Sequence, residues 1–258
     1  MLNNRLKTLF SENKKVFSIF VTAGFPSLAS TVPIVQSLAE SGVDLIELGI
    51  PFSDSIADGS QIQKANEQAL VNGAGLAWTL ETLKKIRAVG VQIPIILMGS
   101  LNPIMQYGDA RFCEDAKNAG ADGVILPDLP LEFYQKHYRS LFEKYELSNV
   151  FLVTSNTSEK RLRQIDAASN SFIYAVSLAG VTGKTLEVTD ERRAYLEKLS
   201  KMNLSSPLVV GFGIENREQF QEVTKYAAGG IVGSAFLRAI ENATDVKSAT
   251  KDFVNKFL

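Results

Sequence analysis

The sequence predicts an α/β fold: one (β/α)8 TIM barrel spanning residues 1–258, with an extra helix at its N-terminus. Three observations lead there. Eight short apolar runs of strand length alternate with longer stretches of helical spacing, the pattern of parallel strands joined by helical crossovers. Three joints resemble one another: ESGVDLIELG (40–49), NAGADGVILPD (118–128) and YAAGGIVGS (226–234) each run helix end, glycine, small or acidic residue, apolar strand. Glycine there suits the left-handed stop of a helix. The 258 residues also match the roughly 250 of such a barrel. A hydrophobic content of 45% suffices for one large core. Eight strands argue closure rather than an open sheet, and no composition shift marks a second domain.

In order along the chain, residues 2–12 carry Leu2, Leu6, Leu9 and Phe10 at helical spacing, a short amphipathic helix placed to plug the barrel's bottom. Strand one falls at 17–21. Ser27 is placed to cap a helix with Leu28, Val32, Val35 and Leu38 on one side, closing at Gly42. Strand two opens at Leu45. Helices follow at 62–71 and 79–89, with Gly90 as a stop. Strand three spans 94–98, and 100–107 reads as a loop. Asp109 is placed to cap a helix that closes at Gly120. Strand four at 123–126 is broken by Pro127 and Pro130, and a helix fills 131–145. Strand five spans 150–153, with Thr157 or Ser158 capping the next helix. After strand six at 172–176, residues 179–189 have little hydrophobic period and read as a mobile loop. A helix near 190–202 precedes strand seven at 208–210. Asn216 and Gln219 have capping-box spacing. Strand eight at 230–232 leads to a helix opening at Ser234, and 246–257 closes the chain.

Composition excludes several function classes. With a net charge of −1 and no basic cluster, no nucleic-acid surface is expected. The longest apolar runs are strand-sized, so no membrane span is expected, and the N-terminus lacks a signal-peptide core. A single cysteine, Cys113, excludes an intramolecular disulfide and fits a reducing cytoplasm. His137 is the one histidine and stands far from Cys113, so no metal cluster is expected and both read as ordinary helix packing or surface.

The chemistry concentrates in LIELGIPFSDSIADGSQIQ (45–63). Period-two alternation puts Leu45, Glu47 and Gly49 on one face of strand two and Ile46 and Leu48 on the other. A carboxylate inside an apolar strand is costly unless paired, protonated or used. Asp58 follows on a polar loop at the barrel's C-terminal edge, where barrels of this class place their active sites. The alternatives are a buried structural ion pair for Glu47, and a solvated loop acid or helix cap for Asp58. Glycines end the last strands: Gly180 and Gly183, Gly211 and Gly213, then Gly233 followed by Ser234. Each serves equally well as a tight turn. Together, after consecutive late strands, they mark the corner where such barrels bind phosphate on free backbone N–H groups.

The same stretch resembles the tryptophan synthase α-subunit family, whose signature reads LELGIPFSDPLADGP-x-IQ. TAGFPS (22–27), DGVILPDLPLE (122–132), AGVTG (179–183), GFGI (211–214) and GSA (233–235) follow in family order and cover nearly the whole chain. The resemblance implies retro-aldol cleavage of indole-3-glycerol phosphate to indole and glyceraldehyde 3-phosphate, without metal or organic cofactor. Glu47 and Asp58 match the family's catalytic positions. Phe20, Met98, Ile125, Leu152, Tyr174 and Phe212 match its indole slot, although barrel core is the ordinary reading of each. Thr182 matches a loop residue that closes over the site and meets the aspartate, and Gly183, Gly213, Gly233 and Ser234 take the phosphate. The implied partner is the pyridoxal-phosphate β subunit in an αββα complex. Pro51 and Asp54 match interface positions, and Leu101, Asn102, Pro103, Ile104 and Met105 supply an apolar loop beside them.

The chain departs from the family at Ser55 and Ser60, where prolines are usual, and at Gly99-Ser100, where tyrosines are frequent. It also departs at Leu178, where arginine is frequent. Ser100 and Leu178 leave open a catalytically weak α partner that mainly activates the β subunit, although the retained Glu47 and Asp58 speak against it. A sugar-phosphate isomerase or aldolase on the same fold has less support, because no lysine stands at an obvious strand end for a Schiff base.

Overall fold

The structure, a computed structural model, describes residues 5–12, 14–55, 58–176, 190–211 and 213–258. Helix α1 (Arg5–Ser11) precedes β1 (Val16–Thr22), and a single 3-10 turn (Leu28–Ser30) leads into α2 (Thr31–Glu40). Then come β2 (Leu45–Gly49), α3 (Ser60–Val71), α4 (Leu76–Ala88), β3 (Ile95–Met98), α5 (Leu101–Tyr107), α6 (Asp109–Ala119) and β4 (Gly123–Ile125). The next crossover runs α7 (Leu131–Phe133), a π turn (Tyr134–Tyr138) and α8 (Arg139–Lys144) into β5 (Ser148–Val153). The chain continues with α9 (Glu159–Ala168), β6 (Ile173–Val176), α10 (Asp190–Ser200), β7 (Leu208–Gly211), α11 (Arg217–Thr224), β8 (Gly229–Val232), α12 (Ser234–Ile240) and α13 (Val246–Val254).

The eight strands pair in sequence order and all in parallel, and β8 returns to β1, so the barrel closes. Alternation decides which residues go inside. Val16, Leu45, Ile96, Ile125, Val150, Phe172, Tyr174, Val209 and Ile231 fill the interior. Their neighbours Ile46, Leu48, Leu97, Val124, Phe151, Ile173, Val210 and Val232 pack outward against the helices. Both faces being buried explains why the strands read as continuous apolar runs. Helix α1 does plug the bottom: Leu6 and Leu9 are buried in the interior cluster, and the Phe10 ring lies 5.2 Å from that of Phe172. Arg5 Nη1 donates to Asp122 Oδ1 at 3.0 Å, while Arg87 Nη2 and the Ile95 N–H reach Oδ2 at 2.7 and 2.9 Å. Among the described residues no helix is long and apolar enough to cross a membrane.

Four local expectations need correction. Residues 101–107 form helix α5, not a loop. Pro103 misled: in the first turn its missing N–H breaks no intrahelical bond. Both oxygens of Asp128 accept the Leu101 N–H, at 3.0 and 2.9 Å, and Ile104 anchors the helix in the core. Gly108, not Asp109, takes the cap position of α6, and Asp109 instead accepts from the Tyr138 hydroxyl at 2.6 Å. The expected single helix at 131–145 is interrupted by the π turn, whose Tyr134 and Tyr138 are both buried. Asn216 does cap α11, accepting from the Gln219 N–H at 2.9 Å. The Gln219 side chain, however, takes the Glu215 N–H, one residue earlier than a capping box would have it.

Candidate active site

Strand β2 places Glu47 on the inner face, in register with Phe20 of β1 and Ile96 of β3. Its side chain is 0% exposed, and neither oxygen has a hydrogen-bond partner among the described residues. Burial alone lifts the carboxyl to about 8, so the acid is neutral where an exposed glutamate would be charged. The expected alternative of a buried ion pair finds no partner among those residues.

Asp58 stands on the loop above β2, just before α3. Its N–H donates to the Ser55 carbonyl at 3.0 Å. Burial raises its carboxyl to about 6, opposed by a hydrogen bond that Asn66 Nδ2 of α3 donates to Oδ2 at 3.2 Å. The Tyr174 hydroxyl of β6 is held above its ordinary range, first by burial and then by the fields of Glu47 and Asp58. The three ionisable groups therefore share one region of low dielectric.

At the end of β2, where Gly49 and Ile50 line it, opens a cleft of about 430 Å³. Phe20, Ile50, Phe52 and Met98 form an apolar wall, Asp58 and Asn66 a polar one, and Ser100, Asn102, Pro127 and Asp128 the far rim. Two glycines create room for its aromatic groups. A Cβ on Gly49 would lie 2.6 Å from Phe20 Cζ, and one on Gly211 would lie 2.1 Å from the Tyr174 hydroxyl. Gly211 thus serves close packing against Tyr174, a role the sequence reading, which placed it at a turn or the phosphate corner, did not foresee.

Phe20 and Met98 line the cleft. Ile125, Leu152 and Tyr174 stand in and against the interior cluster beneath it. Gly213 has φ +79°, a backbone state that requires glycine, and Gly233 directly precedes α12, which begins at Ser234. Thr182, Gly183 and Phe212, with the loop 179–189, lie outside the described residues. Of the expected interface residues, Asp54 and Asn102 are exposed, Leu101 and Pro103 are half-buried, and Pro51 is buried. Ile104 is 1% exposed and belongs to the core, which corrects its place in a surface patch; Met105 is 51% exposed. A shallow groove between Leu101, Met105 and Gln106 meets the cleft at Asn102 and Asp128. Sequence reasoning missed Asn66 and Asp128. The only signal for Asn66 was its place two turns into the helix that follows Asp58.

A closed parallel barrel with two raised carboxyls at the C-terminal edge, one of them lining the cleft, defines a (β/α)8-barrel enzyme of acid–base type. A family model described as the tryptophan synthase alpha chain matches residues 6–257. The chain belongs to the tryptophan synthase alpha chain family. It is 48% identical to the tryptophan synthase alpha chain of Flavobacterium psychrophilum, covering 91% of this chain and 92% of that one. With the Christiangramia forsetii alpha chain it shares 46% identity over 98% of each. The solved tryptophan synthase subunit alpha of Legionella pneumophila superposes with TM-score 0.90 at 36% identity, covering 98% of this chain and 97% of that one. A chain of the tryptophan synthase complex of Pyrococcus furiosus gives TM-score 0.86 at 32% identity, covering 95% of this chain and 98% of that one.

Proposed function

We propose that this chain is the α subunit of a tryptophan synthase, a carbon–carbon lyase that cleaves indole-3-glycerol phosphate into indole and glyceraldehyde 3-phosphate. The observation that carries the mechanism is Glu47, a buried neutral acid on the strand whose end lines the cleft that Asp58 also borders. Neutral Glu47 gives its proton to indole C3, and the ring becomes an electron-poor indoleninium. Asp58, ionised above about pH 6, accepts a hydrogen bond from the indole N–H and stabilises that charge. The Glu47 carboxylate then takes the hydroxyl proton from the carbon that leaves as the aldehyde. The bond between that carbon and C3 breaks, and its electron pair restores the indole ring. Glu47 ends protonated as it began, so no other acid, base or oxidant is consumed.

Gly213, Gly233 and the first turn from Ser234 are the described part of the phosphate site, with Gly183 its proposed counterpart on the loop 179–189. Phe20 and Met98 line the indole slot above Ile125, Leu152 and Tyr174. Thr182 is assigned to close on Asp58. The β subunit docks on the face that carries Asp54, Leu101, Asn102 and Met105, shaped by Pro51 and Pro103, and receives indole there. The reducing cytoplasm is the proposed setting, given one cysteine in the chain.

The test is indole release from indole-3-glycerol phosphate with and without a purified β subunit, for wild type and Thr182→Val. Cleavage by wild type, enhanced by the partner and less enhanced in the variant, is the expected result. A hundredfold enhancement requires about 2.7 kcal/mol of preference for the ordered loops. Failure of wild type to release indole in either condition would overturn the assignment.

A further inference from the structure

Helix α3 grips the loop that carries the catalytic aspartate at two points. Gln63 Nε2 donates to the Ser55 carbonyl at 3.2 Å, and Asn66 Nδ2 donates to Asp58 Oδ2 at 3.2 Å. Ser55 in turn accepts the Asp58 N–H at 3.0 Å. Asn66 is only 5% exposed, so water cannot readily replace its amide. Among the described residues no donor reaches Oδ1 of Asp58, which leaves that oxygen for a ligand.

We infer that Asn66 is a positioning residue that fixes the rotamer of Asp58 and keeps it ionised, so that Oδ1 points at the substrate N–H. The inference rests on the proposed lyase reaction. An amide suits this task better than a cation. A lysine or arginine here would neutralise Asp58 and weaken its hold on the positive charge that develops on the indole, whereas Asn66 donates one hydrogen bond and adds no charge. Tyr174 of β6 lies within the fields of both Asp58 and Glu47, and Asp54 and Asp128 line the same cleft as Asp58. None is a cation, so the Asn66 donor is what favours the charged form against burial.

The experiment compares Asn66→Leu and Asn66→Asp with Gln68→Leu. The last removes a tether from the same helix to the Pro26 carbonyl, at 2.9 Å, that does not touch Asp58. Two readouts are taken on the whole protein: the pH profile of kcat and KM with indole-3-glycerol phosphate, and the Asp58 carboxyl titration by carbon NMR, identified by its loss in Asp58→Asn. Without the donor the Asp58 pKa rises. An upward shift of about one unit lowers the ionised fraction about tenfold below pH 6 and progressively less above it. The expected result for Asn66→Leu is a kcat loss that shrinks as pH rises, a smaller change in KM, and an NMR midpoint moved upward. Asn66→Asp should move the midpoint further, through like-charge repulsion, and Gln68→Leu should leave it in place. An unmoved midpoint in both Asn66 variants, with activity reduced by one factor at every pH, would overturn the inference. Wild type inert toward the substrate would overturn the lyase assignment instead, and the NMR midpoint would still decide whether Asn66 governs Asp58.

Discussion

Glu47 gains its reactivity from a missing interaction. Among the described residues no donor reaches the Glu47 carboxyl, and burial keeps it protonated to about pH 8, which supplies the proton that the proposed reaction delivers to indole. Asp58, with one donor and partial burial, ionises near 6. The two acids therefore define a window: kcat/KM should rise as pH passes about 6 and fall as it passes about 8. A single-limbed profile from pH 5 to 9 would contradict the assignment. Glu47→Gln should lower kcat by at least about 10²–10⁴-fold while substrate still binds. The same residue costs stability. Its folded pKa exceeds the unfolded value of 4.5, so the folded state holds the extra proton between 4.5 and about 8, and stability falls as pH rises through that range. Melting of Glu47→Gln should lack this dependence, so its Tm advantage over wild type should widen from pH 5 to pH 8. A constant Tm difference would mean that Glu47 is charged or paired in the folded protein.

At the scale of elements, the site is made by strand ends and by the helices that follow them. Helix α12 opens at Ser234 behind Gly233, where a Cβ would meet nothing closer than Phe20 Cβ at 3.5 Å. Space is therefore not what calls for glycine at that position. Gly233→Asp should fold, yet it sets a negative charge where the phosphate is proposed to lie. Affinity for glycerol 3-phosphate, measured by calorimetry, should drop sharply while Tm changes little. Unchanged affinity would place the phosphate elsewhere. Strands were the most legible elements, since most of their residues are buried on both faces and apolar, with Glu47 in β2 the charged exception. Helix α5 was not legible, because Pro103 and a short apolar cluster look alike in a loop and in a first helical turn. Nor was the π turn at Tyr134–Tyr138, which depends on two tyrosines packing inward together. The proposed catalytic pair stood out as two acids at a strand end and on the next loop, and the resemblance supplied their role. Asn66 was not, because a helix asparagine shows its partner only once the preceding loop is placed.

At the scale of the molecule, the two ends of the barrel do different work. The bottom carries Asp122, 2% exposed and holding Arg5, Arg87 and the Ile95 N–H. Asp122→Ala would leave the Arg87 guanidinium its bonds to the Gly120, Val91 and Ile93 carbonyls but take away the carboxylate that balances its charge, and removing one partner of a buried ion pair costs about 3–5 kcal/mol. Urea denaturation should report that loss, while kcat of the folded fraction stays near wild type. A large kcat change would mean that the bottom communicates with the cleft. Closure of the sheet also constrains how any partner can attach. Every strand already has two hydrogen-bonded neighbours, so no edge is left on which another chain could add a strand. A protein partner must dock on side chains instead. Asp54, Asp58, Asn102 and Asp128 all border the same cleft, so a docked partner would stand beside the reacting acid. A partner docked on the proposed face would control the enzyme with no relay across the barrel, by pressure on the loop beside it.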